Sequence, residues 1–275
     1  MTLQNAHLNP SSETTPALLC VVRQRPTRVA IIAGSGFTTD LLENTREVPV
    51  YSEWGNPSNR IIHGTRNGMD VFIMSRHGPQ RVAPHSLPHH AHIDILRQLE
   101  VDYIISMCSV GSFQPEVKPG VIMIPDDYFC PNSVATWYSG AGVEHTCPGL
   151  SGELRDIICE AADGLKDNGL TAPVIKKGIY VQTHGPRFET AAESRFYNSM
   201  GFDIVGMTMA NEADLASEAG LKYAAICSVD NYTNGISANK AGSMTEATVK
   251  AGATSNLEQA KKLLFATLDC ISNRK

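Results

Sequence analysis

The stretch from Val181 to Asn231 constrains the fold more than any other. It holds three apolar runs, each attached to a polar cluster: VQTHGPRFETAAE, VGMTMANEADLA and AAICSVDNY. A short apolar run that stops at Gly, Thr or Asn reads as a buried strand with polar side chains at its carboxyl end. Open α/β sheets bind ligands in the crevice beyond those ends. Earlier in the chain, IIAGSGF and MSRHG repeat the arrangement with groups suited to an anion. All five clusters are therefore expected to converge on one pocket.

The rest of the chain alternates in the same way. Strands are expected at Arg28–Ala33, Ile61–Ile62 with Asp70–Ser75, Val101–Met107, Gly120–Pro125, Lys177–Thr183, Asp203–Met207 and Tyr223–Val229. Helices are expected from Thr38, over His92–Leu99, over Ser151–Leu165 with Ser151 as N-cap, and over Thr190–Met200 closed by Gly201. Two more are expected over Asn211–Glu218, closed by Gly220, and over Ser243–Ile271 with a break near Gly252. No composition break or internal repeat divides the pattern. It predicts a single α/β domain over residues 26–275, behind a polar, Pro/Ser-rich, partly ordered arm over residues 1–25.

Composition excludes several function classes. The net charge is −5 and the 23 basic residues form no stripe, which argues against nucleic acid as a partner. No apolar run approaches the ~20 residues of a membrane span. The amino terminus has neither the basic start nor the apolar core of a secretory signal. Seven cysteines without a CxxC pair fit a reducing cytoplasm. Cys130, Cys147 and Cys159 with His145 have irregular spacing for zinc. The four histidines of Pro84–His92 have no carboxylate or Cys at ligand spacing, so no metal is expected. Of these four, His89 is placed near the pocket and the others in solvent or at a cap.

Several residues carry chemistry by type and place. Gly34 and Gly36 let the backbone approach an anion, and Ser35 adds a hydroxyl. Arg76, at a strand end before His77-Gly78, can grip phosphate through its planar fork, or else form a surface salt bridge. The segment Cys108–Phe113 (CSVGSF) reads as a small-residue turn whose N–H groups face an oxygen ligand. A long loop holding Trp137, Tyr138 and His145 has the length of functional or interfacial loops.

GSGF, SRHG, CSVGSF, HGPRFETAAE, VGMTMANEADLA and the strand into DNY stand in an order that resembles the trimeric nucleoside phosphorylases, over roughly Arg28 to Ala266. This family includes purine nucleoside, methylthioadenosine and methylthioinosine phosphorylases. The resemblance implies a mixed central β-sheet flanked by helices, and phosphorolysis of purine nucleosides to free base and ribose 1-phosphate. It implies no cofactor beyond phosphate as co-substrate, and a homotrimer or dimer of trimers. By position, Ser35, Arg76, His77, Ser109 through its backbone, and Thr208 resemble the family's phosphate site. Met207 would lie against the ribose, and Phe188 either near the base or in the core. Glu189 and Asn231 match the pair that 6-oxopurine enzymes direct at the base, and with His77 they are the catalytic residues implied. Asp230 leaves a second register open, in which a carboxylate favours 6-aminopurines. Met244 falls where 5′-hydroxyl enzymes place a histidine and suits a 5′-methylthio group. His145 matches a histidine that enters a neighbouring subunit's pocket. Glu212 reads as supporting architecture.

Overall fold

The computed structural model describes residues 25–34, 42–131, 135–140, 142–166, 169–236 and 246–274, with the backbone alone over 246–255. Most of the expected arm, the helix expected from Thr38, Ser35 and Met244 lie outside the described residues. Among the described residues the strands are β1 (Arg28–Ala33), β2 (Glu43–Val48), β3 (Ile61–Arg66), β4 (Met69–Ser75), β5 (Tyr103–Ser112), β6 (Ile122–Met123), β7 (Asp127–Phe129), β8 (Val174–Ile175), β9 (Ile179–Gln182), β10 (Ile204–Gly206) and β11 (Lys222–Tyr232). The helices are α1 (His89–Gln98), α2 (Gly152–Leu165), α3 (Ala191–Ser199), α4 (Met209–Glu218) and α5 (Glu246–Ser272).

The strands form one mixed sheet whose main path runs β2-β3-β4-β1-β5-β10-β9-β7, with β11 pairing β5 on its other side. β1 is parallel to both β4 and β5, and β5 is parallel to β11. Beyond β5 the direction reverses, because β10 is antiparallel to it. The central strands are buried on both faces, which is why RVAIIA and KYAAICSV read as nearly continuous apolar runs. One core lies on the side of α1 and α4, including Ile93, Leu96, Met209 and Leu215. The other lies on the side of α2 and α5, including Leu154, Ile158, Leu264 and Leu268.

The helix ends follow local chemistry. Ser151 caps α2 by accepting from the Leu154 N–H at 3.3 Å. Thr190 and Glu193 form a reciprocal capping box at the start of α3, and Gly201 follows it at φ 76°. Thr190→Ala is expected to cost about 1 kcal/mol, read as a lower urea midpoint at unchanged slope.

Three expectations are corrected. The CSVGSF segment is no turn: β5 continues through it to Ser112, held by β11. The carboxyl-terminal helix runs unbroken past Gly252. Gly120–Pro125 forms only the short β6.

Candidate functional site

The centre of the site is an opening in the sheet beside β5. On one side of this strand, β1 pairs with it as far as Ser106, and β10 takes over only at Gly111. The four residues between them have no strand partner on that side. The Met107 carbonyl accepts from Arg76, whereas the Cys108 carbonyl accepts from Ser228 on β11. Backbone groups alternate along a strand, so the Ser109 N–H points the same way as the Met107 carbonyl, into the opening. The sequence reading placed free N–H groups here through a turn; an unpaired strand edge supplies them instead.

A cavity of about 380 Å³ occupies this opening. Arg76, His77, Ser109, Phe188, Glu189, Met207, Thr208 and Asn231 all line it, although they come from five separate stretches of chain. Phe188 is half-buried at its wall rather than in either core. His145 is exposed and does not line it. His89 is buried behind the cavity wall rather than on it, within the field of Arg76 and His77, and neither ring nitrogen has a hydrogen-bond partner among the described residues. His92 is fully buried rather than solvated, and accepts at Nε2 from the Ser58 N–H at 3.1 Å. Burial pushes these two histidines down to about 4 and about 3, so both are neutral near pH 7. Among the described residues no three His, Cys, Asp or Glu side chains cluster in a way that could hold a metal ion.

Arg76 is no surface salt bridge. Its side chain is buried and meets Glu212 of α4 through Nε at 2.5 Å and Nη2 at 3.2 Å. Nη2 also donates to Ser106 Oγ at 2.5 Å, and Nη1 to the Met107 carbonyl at 3.3 Å. Four of the five guanidinium N–H groups are thereby engaged, leaving one on Nη1. Glu212 Oε2 additionally accepts from Ser106 Oγ at 3.0 Å and from the Tyr223 hydroxyl at 2.8 Å. Burial opposes both charges, but each holds the other ionised: the arginine lies above its ordinary pKa and the glutamate below.

His77 places Nδ1 2.7 Å from the Val82 carbonyl, which fixes the proton on Nδ1 in the neutral ring and leaves Nε2 as an acceptor. Burial, with Arg76 adding to it, lowers this pKa. A neutral His77 with its proton on Nδ1 offers an acceptor at Nε2.

Thr208 stands at the N-cap position of α4, yet its hydroxyl makes no capping bond. The helix is capped from β9 instead. Tyr180 OH accepts from the Thr208 and Met209 N–H groups at 3.3 and 3.4 Å, and Gln182 Oε1 from Ala210 and Asn211 at 2.6 and 3.3 Å. This frees the threonine hydroxyl for a ligand. Gly206 makes the reach possible, since a Cβ there would lie 2.1 Å from the Tyr180 hydroxyl.

At the opposite wall, β11 carries a bulge between Val229 and Asn231. A bulge re-aims side chains by one position. Asp230 and Asn231 therefore both line the cavity. Asp230 is occupied: it accepts from Ser109 Oγ, and from Asn256 Nδ2 at 3.2 Å. Burial raises its pKa. The Asn231 amide donates from Nδ2 to the Tyr232 carbonyl at 2.8 Å. Glu189 is 5% exposed and accepts from Thr183 Oγ1 at 2.8 Å.

The family described as the phosphorylase superfamily matches residues 28–269. A probable 6-oxopurine nucleoside phosphorylase of Archaeoglobus fulgidus is 38% identical over 210 residues, covering 76% of this chain and 83% of that protein. The 6-oxopurine nucleoside phosphorylase of Pyrococcus furiosus is 36% identical over 264 residues, covering 90% and 94%. Among solved structures, a methylthioadenosine phosphorylase from an antarctic soil metagenomic library superposes with a TM-score of 0.81 at 32% identity, covering 91% of this chain and 88% of that one.

Proposed function

The chain belongs to the phosphorylase superfamily, and on that footing we propose that it cleaves purine nucleosides with inorganic phosphate, releasing the free base and a ribose 1-phosphate, with 6-oxopurines preferred. The observation that carries the reading is the joint lining of one cavity by anion donors and base-reading groups. The remaining Arg76 N–H, the His77 ring, the Ser109 N–H and the Thr208 hydroxyl hold phosphate below the sugar, and Ser35 is assigned to the same group by its place in the sequence. Met207 packs against the ribose and Phe188 against the base. Glu189 accepts from N1–H, and the Asn231 amide serves O6 and N7.

The chemistry follows from that placement. A phosphate oxygen attacks C1′ as the bond to N9 breaks, and the bonding electrons pass into the purine. Positive charge on the ribose faces the phosphate, while negative charge on the base grows beside Asn231. Groups that tighten on those charges lower the barrier. Phosphate and nucleoside are the only small molecules the scheme requires. An assembly of three or six copies belongs to the same reading, with His145 lending its ring to a neighbour's cavity. Exposed Phe196 and Met200 give such an interface apolar surface. The cytoplasm is its proposed location, consistent with the free thiols of Cys108 and Cys227.

A second reading, a 5′-methylthioadenosine phosphorylase, draws on Asp230 beside Asn231 in the cavity wall and on Met244 for the 5′ substituent. The decisive test incubates inosine, guanosine, adenosine and their 5′-methylthio analogues with and without phosphate. Base release that depends on phosphate and is fastest for the 6-oxopurines is expected. Equal release without phosphate would mean hydrolysis and sink the proposal.

A further inference from the structure

Of the acidic groups at the site, Glu189 and Asp230 line the cavity, and Glu212 stands behind Arg76. Glu212 is matched to a buried arginine, whereas Glu189 has no cation bonded to it among the described residues. Arg187, the nearest basic group in sequence, commits both terminal nitrogens to Glu193 at 2.8 Å each and lies mostly in solvent. The groups around the Glu189 carboxyl are the neutral Thr183 hydroxyl at the end of β9 with His184 next to it, Asp230 and the neutral Asn231 on β11 across the cavity, and, at α3, the Arg187–Glu193 pair and Tyr197. Thr183 already donates to Oε1, so a proton taken up by this carboxyl belongs on Oε2.

We propose that Glu189 reads purine N1 in both of its protonation states, so that one cavity takes 6-oxopurine nucleosides through the carboxylate and 6-aminopurine nucleosides through the carboxylic acid. The inference rests on the base-recognition role given to Glu189 above. A 6-oxopurine carries a hydrogen on N1 and needs an acceptor; a 6-aminopurine carries a lone pair there and needs a donor. An ionised carboxylate only accepts, and a protonated one also donates. The Asn231 amide has both a donor and an acceptor for the 6-substituent, so it meets either base. Burial raises the Glu189 pKa, opposed by the Thr183 bond, its own backbone and the Arg187 charge and aided by the Glu193 charge, so desolvation favours the acid form. No electron or covalent step is involved: one proton is bound from solvent along with the 6-aminopurine.

The quantity to measure is the ratio of kcat/KM for adenosine to that for inosine, from about pH 5 to about pH 7.5, where neither base titrates appreciably. Phosphate ionisation and the His77 proton act on both substrates and cancel in the ratio. What remains is the ratio of protonated to ionised Glu189, so the preference is expected to move toward adenosine about tenfold for each pH unit of acidification. Glu189→Gln is expected to make the ratio independent of pH. As a readout that does not need a variant, calorimetry on the wild type in buffers of different ionisation enthalpy should show proton uptake when adenine binds near pH 7 and none when hypoxanthine binds. A flat wild-type ratio with both nucleosides cleaved overturns the inference, as does an undiminished slope in Glu189→Gln or adenine binding without proton uptake. Absence of phosphate-dependent cleavage of either nucleoside overturns the functional reading beneath it as well.

Discussion

Glu212→Ala is expected to destabilise the protein by about 3–5 kcal/mol and to abolish detectable phosphate-dependent activity in whatever fraction stays folded. The physical reason lies in what the substitution leaves behind. The Arg76 and Glu212 side chains are 3% and 0% exposed, so removal of the carboxylate strands a guanidinium in the core. It also strips the acceptor from the Ser106 and Tyr223 hydroxyls. A buried donor left unmade costs about 1–3 kcal/mol, and these losses overlap rather than add. The urea midpoint should fall at nearly constant slope. The informative companion is Arg76→Met with Glu212→Leu. Replacing both partners by apolar groups of similar volume removes the stranded charge, and most of the lost stability should return. Phosphate binding should not return with it. That split would assign the pair to aiming one guanidinium N–H at the cavity rather than to holding the fold together. Equal rescue of stability and of phosphate affinity would contradict the assignment.

Much of the architecture was legible because local and global signals agree. RVAIIA is apolar throughout because β1 is buried on both faces, and Ser151, Thr190, Gly201 and Gly220 mark helix ends by chemistry that acts within one turn. The convergence of strand tips followed from the same alternation. What escaped depends on partners distant in sequence. β2 (ENTREV) is almost wholly exposed and has no apolar alternation to reveal it. Cys108–Ser112 contains Ser and Gly, poor strand formers, and is held extended by its register with β11, joined by β10 at Gly111 and Ser112. The N-terminal amides of α4 are capped from β9, which left the role of Gln182 and Tyr180 unread. Strict alternation puts neighbours on opposite faces, so nothing in the sequence signalled that Asp230 and Asn231 would both line the cavity. The bulge in β11 breaks that rule between Val229 and Asn231.

Asn231→Ala is expected to lower kcat by about 2–4 kcal/mol of transition-state stabilisation, or roughly 30- to 1000-fold, with the fold retained and KM for nucleoside little changed. The side chain is only half-buried, and its Nδ2 donates to the adjacent Tyr232 carbonyl, so truncation leaves no buried charge and little cavity. Stability should therefore move far less than in Glu212→Ala. Rate should move far more, because the amide faces the atoms on which charge accumulates as the glycosidic bond breaks. The ground-state purine is neutral and gains little from it. An interaction that strengthens only in the transition state appears in kcat and kcat/KM together, whereas uniform binding appears in KM alone. Gly111 provides an independent arm. A Cβ built there would lie 3.1 Å from Asn231 Nδ2 and 3.3 Å from a Val205 methyl, so Gly111→Ala displaces the amide without deleting it. The two variants should share a lowered kcat, with the smaller loss in Gly111→Ala. A fall confined to KM in both would remove Asn231 from the charge-stabilising role and make it a contact to the resting base.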